Sequence, residues 1–151
     1  MPFMKTLKFH PTICTGCRQC ELACSLAKSG IASLSRASLT IGFTEEAGAS
    51  ATVCRHCRKA KCVEACPVPG ALRQDPSTGA YSLDRDLCSG CRLCVEACPF
   101  QAMRIGPDSE VLKCDLCGGN PACVEACSKS HQPKDKKALE YLDSASTPDG
   151  S

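Results

Sequence analysis

The sequence predicts a small α+β fold whose interior depends on its cysteines more than on apolar side chains. The chain of 151 residues contains 16 Cys, whereas Leu, Ile, Val and Phe together supply only 27 residues. This is a smaller share than a globular core normally requires. The net charge of only +2 and the apolar residues beside the cysteines argue against a disordered chain.

The first half of the chain predicts a strand, a helical turn and a long connection. Residues 5–10 alternate between apolar and polar side chains, as strands do. Residues 20–24, which end the first cysteine group, suit one turn of helix, and so do the residues that end each later group. Residues 25–53 are rich in Ser, Ala and Gly. They are interpreted as a surface excursion whose one plausible strand lies at 38–43.

The second half predicts two hairpins and a final strand. The turns of the hairpins contain Pro and Gly and lie at residues 75–79 and 106–108. Their strands are predicted at residues 71–73, 80–83, 102–105 and 110–113. A last strand is expected at 138–142, and residues 144–151 read as a disordered tail.

The 16 cysteines form four sets of four, and every set ends in two cysteines separated by three residues. The sets are Cys14, Cys17, Cys20 and Cys24; Cys54, Cys57, Cys62 and Cys66; Cys88, Cys91, Cys94 and Cys98; and Cys114, Cys117, Cys123 and Cys127. Sets one and three follow CxxCxxCxxxC, and sets two and four have a longer middle gap. Thiolates at this spacing bind [4Fe-4S] clusters. Sixteen ligands therefore predict four such clusters as cofactors.

Two other uses of dense cysteine fit the sequence less well. Disulfide frameworks are typical of small secreted domains, but the first residues lack the apolar stretch of a signal peptide. A reducing, cytoplasmic location is therefore expected. Structural zinc sites normally separate two CxxC pairs by a long loop, whereas each set here lies within eleven to fourteen residues.

The sets must be paired before ligands are assigned, because the last cysteine of a two-cluster run binds the other cluster. One short-spaced set should join one long-spaced set. Two pairings remain. Either set one pairs with set two and set three with set four, or sets two and three form a pair that is nested within a pair of sets one and four. Pro67 and Pro99 follow the last cysteines of sets two and three, whereas Ser25 and Ser128 follow those of sets one and four. The prolines favour the nested pairing.

Residues 54–105 resemble an intact bacterial two-cluster ferredoxin, including the sequence DRDLC at 84–88 and the Cys98-Pro99 ending. The complete pattern, with KCDLC at 113–117, resembles the electron-transfer subunits of molybdopterin and tungstopterin oxidoreductases. That family includes the iron-sulfur subunits of DMSO reductase and formate dehydrogenase. Its compact members serve tungsten aldehyde oxidoreductases, hydrogenases and carbon monoxide dehydrogenase systems. The middle gap of the fourth set here is only five residues, which is similar to this compact type.

The resemblance implies the nested pairing and therefore four ligand sets, named sites A to D here. Site A would be Cys14, Cys17, Cys20 and Cys127; site B, Cys54, Cys57, Cys62 and Cys98; site C, Cys88, Cys91, Cys94 and Cys66; and site D, Cys114, Cys117, Cys123 and Cys24. It also implies nested ferredoxin-like modules. Residues 1–53 and 106–143 would form the outer module around an inner module of residues 54–105.

The resemblance further implies a subunit without catalytic residues of its own. It would carry electrons between a catalytic tungsten- or molybdenum-pterin enzyme, such as aldehyde oxidoreductase or formate dehydrogenase, and a further redox partner within a hetero-oligomer. The alternative is a free polyferredoxin that diffuses as a one-electron carrier. No apolar run suits direct membrane insertion. The modest charge, two Tyr and four Phe argue against binding to nucleic acid.

Cations lie beside the cysteines and are densest around the second set. Arg55, Arg58, Lys59 and Lys61 all fall within this set, so we expect its cluster to have a comparatively high reduction potential. The alternative interpretation is a docking patch for an acidic partner or a solvated loop. The three histidines are predicted to be surface residues rather than ligands; they are His10, His56 and His131.

Complete removal of iron is expected to unfold the chain, because the clusters would crosslink segments that have too few apolar residues to pack alone. Anaerobic chelation followed by far-ultraviolet circular dichroism and limited proteolysis checks this expectation, with a sample dialysed without chelator as the control. A near-native spectrum with retained protease resistance would contradict it.

Overall fold

The computed structural model describes residues 5–129 and 138–143, which alternate short helices with two-stranded antiparallel sheets. The helices are α1 (Gln19–Ser29), α2 (Lys61–Ala65), α3 (Leu93–Ala97) and α4 (Ala122–Ser128). The strand pairs are β1 (Lys5–Phe9) with β8 (Leu139–Asp143), β2 (Thr40–Thr44) with β3 (Gly48–Thr52), β4 (Leu72–Gln74) with β5 (Tyr81–Leu83), and β6 (Arg104–Ile105) with β7 (Val111–Leu112). Short 3₁₀ turns lie at Leu34–Arg36 and Leu116–Gly119. The mixed helix and strand content agrees with the predicted α+β class.

Most predicted elements are present at the expected places. The first and last predicted strands, the two Pro and Gly hairpins, and a helical turn at the end of each cysteine set are all confirmed. The predicted disordered tail at 144–151 lies outside the described residues. Within the described ranges, no helix is long and apolar enough to cross a bilayer.

Strand β1 joins the two ends of the described chain by pairing with β8. Leu7 lies opposite Tyr141 in this ladder, and the His10 amide extends it by donating to the Ala138 carbonyl over 2.7 Å. Leu7 and Leu139 are both buried. The pairing therefore brings the first and fourth cysteine sets into the same part of the molecule.

Two clusters of buried side chains form the interior, and both include cysteines. The larger joins β1, α1 with the segment after it, α4 and the start of β8, with Cys20, Cys24, Cys123 and Cys127 among its members. The smaller joins Leu72, Cys94, Met103 and Val111. Helix α1 packs on α4, and α2 packs on α3. The cysteines are thus part of the core, as the composition predicted.

The interpretation of residues 25–53 as a surface excursion is wrong. Helix α1 continues to Ser29 and ends at Gly30, whose φ of 77° allows its amide to cap the Leu26 carbonyl. The following β2–β3 hairpin includes the predicted strand and a second one at Gly48–Thr52. Leu39 and Ile41 are each only 2% exposed. The small residues of β3 have low strand propensity, which hid the strand in the sequence.

Arginine side chains tie this segment to the β6–β7 hairpin. Arg104 donates to the Ala37 carbonyl over 2.7 Å and also reaches the carbonyls of Leu34 and Leu39. From the other side, Arg36 forms an ion pair with Asp108 over 2.8 Å. These contacts connect residues of the larger buried cluster with the hairpin that holds part of the smaller one.

Replacing Arg104 with Leu is expected to destabilise the protein, because three backbone carbonyls lose a charged donor. A hydrogen bond to a charged group contributes about 2 kcal/mol, which corresponds to roughly 4–8 °C in melting temperature at this chain length. The measurement is thermal loss of cluster absorbance under anaerobic conditions. Arg85→Leu, which removes an exposed arginine, is the matched control. Equal midpoints for the two variants would refute the assigned role of Arg104.

Candidate iron-sulfur cluster sites

The residue before the second cysteine adopts a left-handed conformation in all four sets. Gly16, His56, Gly90 and Leu116 have φ values of 75°, 50°, 76° and 59°. In the first two sets this turn directs the backbone amide toward the first cysteine of the set. Gly16 N lies 3.4 Å from Cys14 Sγ, and His56 N lies 3.4 Å from Cys54 Sγ. Glycine adopts this conformation without strain, whereas His56 and Leu116 adopt it at some cost. One local backbone shape therefore serves both the short and the long spacing.

The cysteines predicted for site A line one cavity. Cys14, Cys17 and Cys20 come from the loop before α1 and from its first turn, and Cys127 comes from α4. The remaining lining includes the apolar side chains of Phe9, Ile41, Ala138 and Leu139. The packing of α1 on α4 brings the fourth cysteine across from the other end of the sequence.

The cysteines predicted for site D line a neighbouring cavity. Cys114, Cys117 and Cys123 come from the fourth set, and Cys24 comes from α1. Leu7, Leu39, Val53, Leu116 and Pro121 complete most of its apolar wall. The amide of Ser38 donates to Cys24 Sγ over 3.3 Å. Helices α1 and α4 thus each bring the last cysteine of one set to the cavity that is lined by the other set.

Site B also has its predicted cysteines around one cavity. Cys54, Cys57 and Cys62 share it with Cys98, which follows α3. Tyr81, Phe100 and Met103 supply apolar surface, and Lys113 supplies a charged group. The amide of Ala102 donates to Cys98 Sγ over 3.4 Å.

Site C is the part of the arrangement nearest to solvent. Cys94 is buried and belongs to the smaller core cluster, against which Cys66 packs. Burial raises the pKa of Cys94, and negative charge on Cys66 and Cys88 raises it further, so these three sulfurs lie near one another. Cys91 is exposed, which leaves one predicted ligand of this site at the surface.

The donor sets fit a sulfur-ligated cluster. Burial raises the pKa of Cys20 and of Cys114 to about 12, with the charge of Glu21 adding to the first and that of Cys54 to the second. Burial likewise raises the pKa of Cys123. Thiolates in such apolar surroundings need a bound cation to be stable. Within residues 5–129 and 138–143, no three His, Cys, Asp or Glu side chains are grouped to hold a single metal ion.

The cations near site B lie in two different environments. Arg55, Arg58, Lys59 and Lys61 are exposed, and the Arg55 guanidinium stacks over the Phe100 ring at 4.4 Å from its centroid. Lys113, which precedes the fourth set, is only 8% exposed. Its Nζ lies 3.3 Å from Cys54 Sγ and donates to the Cys114 carbonyl over 2.9 Å. The cation in contact with a site B ligand therefore comes from a distant part of the sequence.

The charged state of Lys113 is stabilised by the surrounding sulfurs. Burial alone would lower its pKa, but the charges of Cys54 and Cys114 outweigh that effect and raise the pKa above its ordinary value. The ammonium therefore remains protonated at neutral pH.

The prediction that His56 is a surface residue is wrong. Its side chain is 5% exposed, and neither ring nitrogen has a hydrogen-bond partner. Burial, reinforced by the charge of Lys113, lowers its pKa to about 3, so the ring is neutral. The residue at the same position in set four is apolar, and this Leu116 is also fully buried. His10 is partly buried and 2.8 Å from Glu140, and His131 lies outside the described residues.

Glu21 is a buried site residue that the sequence reasoning missed. It is 2% exposed, and its Oε1 accepts from the Ile41 amide over 2.9 Å. Its Oε2 lies 3.5 Å from Arg18 Nε, so this carboxylate holds β2 against α1 beside site A. The sequence did indicate burial at this position, because the residue after the third cysteine is valine in the other three sets. By contrast, the glutamates that follow these valines are exposed; they are Glu64, Glu96 and Glu125.

Comparison with known proteins agrees with this chemistry. The profile of the 4Fe-4S dicluster domain matches residues 46–134, and that of a 4Fe-4S binding domain matches residues 11–27. The chain is 39% identical over 114 residues to the NADH-dependent phenylglyoxylate dehydrogenase subunit beta of Aromatoleum evansii, covering 72% of this chain and 25% of that protein.

Two further relatives are named for electron transfer or for an oxidoreductase complex. Identity is 33% with the thiosulfate reductase electron transfer subunit PhsB of Salmonella typhi, over 67% of this chain and 56% of that protein. Sequence identity is 39% with formate hydrogenlyase subunit 2 of Escherichia coli (strain K12), over 61% of this chain and 43% of that protein. The chain therefore spans between a quarter and somewhat more than half of these relatives.

Among solved structures, the fold is similar to a chain of the active site complex BamBC of benzoyl coenzyme A reductase in complex with zinc. The TM-score is 0.53 at 21% sequence identity, and the match covers 95% of this chain and 80% of that one. With its cysteine sets and more than half of its length matching the family profile, this chain belongs to the 4Fe-4S dicluster domain family.

Proposed function

We propose that this chain is a non-catalytic electron-transfer subunit with four [4Fe-4S] clusters, held by sites A to D. The observation that carries the proposal is that three cavities are each lined by three cysteines of one set and the last cysteine of another. When bound, each cluster would supply a one-electron redox couple. The ligand assignment is the nested one inferred above from the prolines and the family resemblance.

The order of the sites supports a path for electrons through the molecule. Cys20 of site A is close enough to Cys123 of site D for its charge to raise the pKa of Cys123, to which burial contributes most. Cys54 of site B affects Cys114 of site D in the same way. Sites B and C are joined by the packing of α2 on α3. The proposed succession is therefore A, D, B, C.

The same contacts support two nested modules. The larger buried cluster is built mainly from residues before Val53 and after Cys114, and the smaller one from residues between Cys62 and Val111. We assign residues 1–53 and 106–143 to an outer module and 54–105 to an inner one, joined by the β6–β7 hairpin, whose second strand contributes Val111 to the smaller cluster.

The chain's own residues prepare these sites in two ways. Apolar side chains keep water away from the sulfurs of sites A and D. Backbone amides of Gly16, Ser38, His56 and Ala102 donate to ligand sulfurs. Hydrogen bonds to sulfur and solvent exclusion are the means by which a protein adjusts cluster potentials.

We further propose a tungsten- or molybdenum-pterin enzyme as the catalytic partner, within a hetero-oligomer that also contacts a second redox protein. The sequence KCDLC and the complete four-set pattern support this partner by family resemblance. Leu26, Ile31 and Phe43 are 54%, 51% and 61% exposed and are available for contact with such a partner. A cytoplasmic location stays a prediction from the sequence.

The proposed cluster count and pairing can be tested together. Anaerobically purified protein should contain about 16 iron and about 16 acid-labile sulfide per chain. In the nested pairing, Cys66 shares a site with Cys91, so Cys66→Ser and Cys91→Ser should alter the same electron paramagnetic resonance signal. Cys17→Ser should alter a different one. If sets one and two were paired instead, Cys66→Ser would match Cys17→Ser.

The proposed role in a complex can be tested by anaerobic capture of the tagged chain from its own cells. The expected result is a stoichiometric pterin oxidoreductase, identified by mass spectrometry and by tungsten or molybdenum in the eluate. An eluate of the chain alone with about 16 iron would support the diffusible polyferredoxin instead.

A further inference from the structure

We propose that Lys113 is a buried electrostatic link between sites B and D, which raises the reduction potentials of both clusters. This inference rests on the proposed function and concerns the junction between the two modules. Lys113 precedes the site D ligand Cys114 in the chain, while its Nζ lies 3.3 Å from Sγ of the site B ligand Cys54. The charge therefore contacts a ligand sulfur of site B and the backbone of a site D ligand, two ligand sets that are far apart in sequence.

The backbone around Lys113 fixes this position. Strand β7 ends at Leu112, and Val111 and Leu112 are 4% and 3% exposed. The ammonium also donates to the Cys114 carbonyl over 2.9 Å. Because the stem follows a buried strand and the head has two contacts, the charge is held in place rather than moving freely in solvent.

The burial of Lys113 calls for a negative partner. A buried ammonium is costly unless it is paired. Within residues 5–129 and 138–143, no carboxylate forms an ion pair with Lys113, and its polar contacts are the Cys54 sulfur and the Cys114 carbonyl. Each oxidised cluster with four thiolates would carry about two negative charges, and reduction would add one more. Negative sites on both sides explain why a lysine is buried here.

The buried position of Lys113 also distinguishes it from the cations that lie within the second set. Arg58, Lys59 and Lys61 are exposed, so water and salt screen their charges. A charge that is buried beside a ligand sulfur acts through a lower effective dielectric constant. We therefore assign the high potential expected near the second set mainly to Lys113.

The electron balance is simple. With clusters held by the cysteines of both sites, one electron would leave the cluster in one site and enter the cluster in the other, with no proton transferred from Lys113. Because the ammonium lies near both sites, it favours the reduced form of each. It therefore raises both potentials together and leaves the difference between them little changed.

The test compares variants in an anaerobic redox titration followed by electron paramagnetic resonance, with the signals of sites B and D assigned through Cys57→Ser and Cys117→Ser, respectively. Lys113→Met removes the charge at similar size, and Lys113→Arg retains it. At a fixed potential, Lys113→Met should lower the ratio of reduced to oxidised cluster about tenfold at sites B and D, which is about 59 mV for one electron. Lys113→Arg should stay close to the original chain.

Arg58→Met is the matched control, because it removes one exposed positive charge from the second set and should change the potentials little. If Lys113→Met loses iron, Lys113→Gln serves in its place, since its amide can still donate to the Cys114 carbonyl. A shift at one site only, unchanged potentials, or an equal shift in Arg58→Met would overturn the inference. About 16 iron with unchanged potentials would refute only the role of Lys113, whereas fewer than four clusters in the original chain would refute the proposed function.

Discussion

Each of the three cysteine-lined cavities takes three thiols from one stretch of chain and a fourth from another, and much of the structure depends on this exchange. Cys127 must reach the loop that carries Cys14, and Cys24 must reach the loop that carries Cys114. The packing of α1 on α4 satisfies both requirements. The β1–β8 pair then closes the same region from the outside. A crosslink of this kind can take the place of a large apolar core because it fixes distant segments at one point.

Repeated local geometry made much of the fold predictable. Ligand spacing identified the cysteine sets, and the Pro and Gly turns identified both central hairpins. What could not be predicted involves contacts between distant segments. Strand β3 consists of small residues whose pairing depends on β2 and on close approach at Gly42, where an added Cβ would lie 2.8 Å from Ser50 Oγ. The pairing of β1 with β8 had no local signal either.

The side chains that were misread or missed share one physical cause, which is burial of a polar group. His56 and Glu21 lie between or beside ligand cysteines, where residue type alone suggests a solvated loop. Their burial follows from the tertiary packing around each site. Comparison between the four sets singles out both positions, because His56 matches the apolar Leu116 and Glu21 matches the position of a valine in the other sets. In a repeated motif, the exception to the repeat is the more informative residue.

The pairing of β1 with β8 has a consequence for biosynthesis. A ribosome releases the chain from its amino end, so β1 and α1 emerge long before their partners α4 and β8. The β4–β5 and β6–β7 hairpins and the α2–α3 packing need no residue beyond Leu112. They can therefore form while translation continues. The first and fourth cysteine sets meet only after α4 has been made, and until then the thiols of the first set lack the part of their surroundings that α4 and β8 provide.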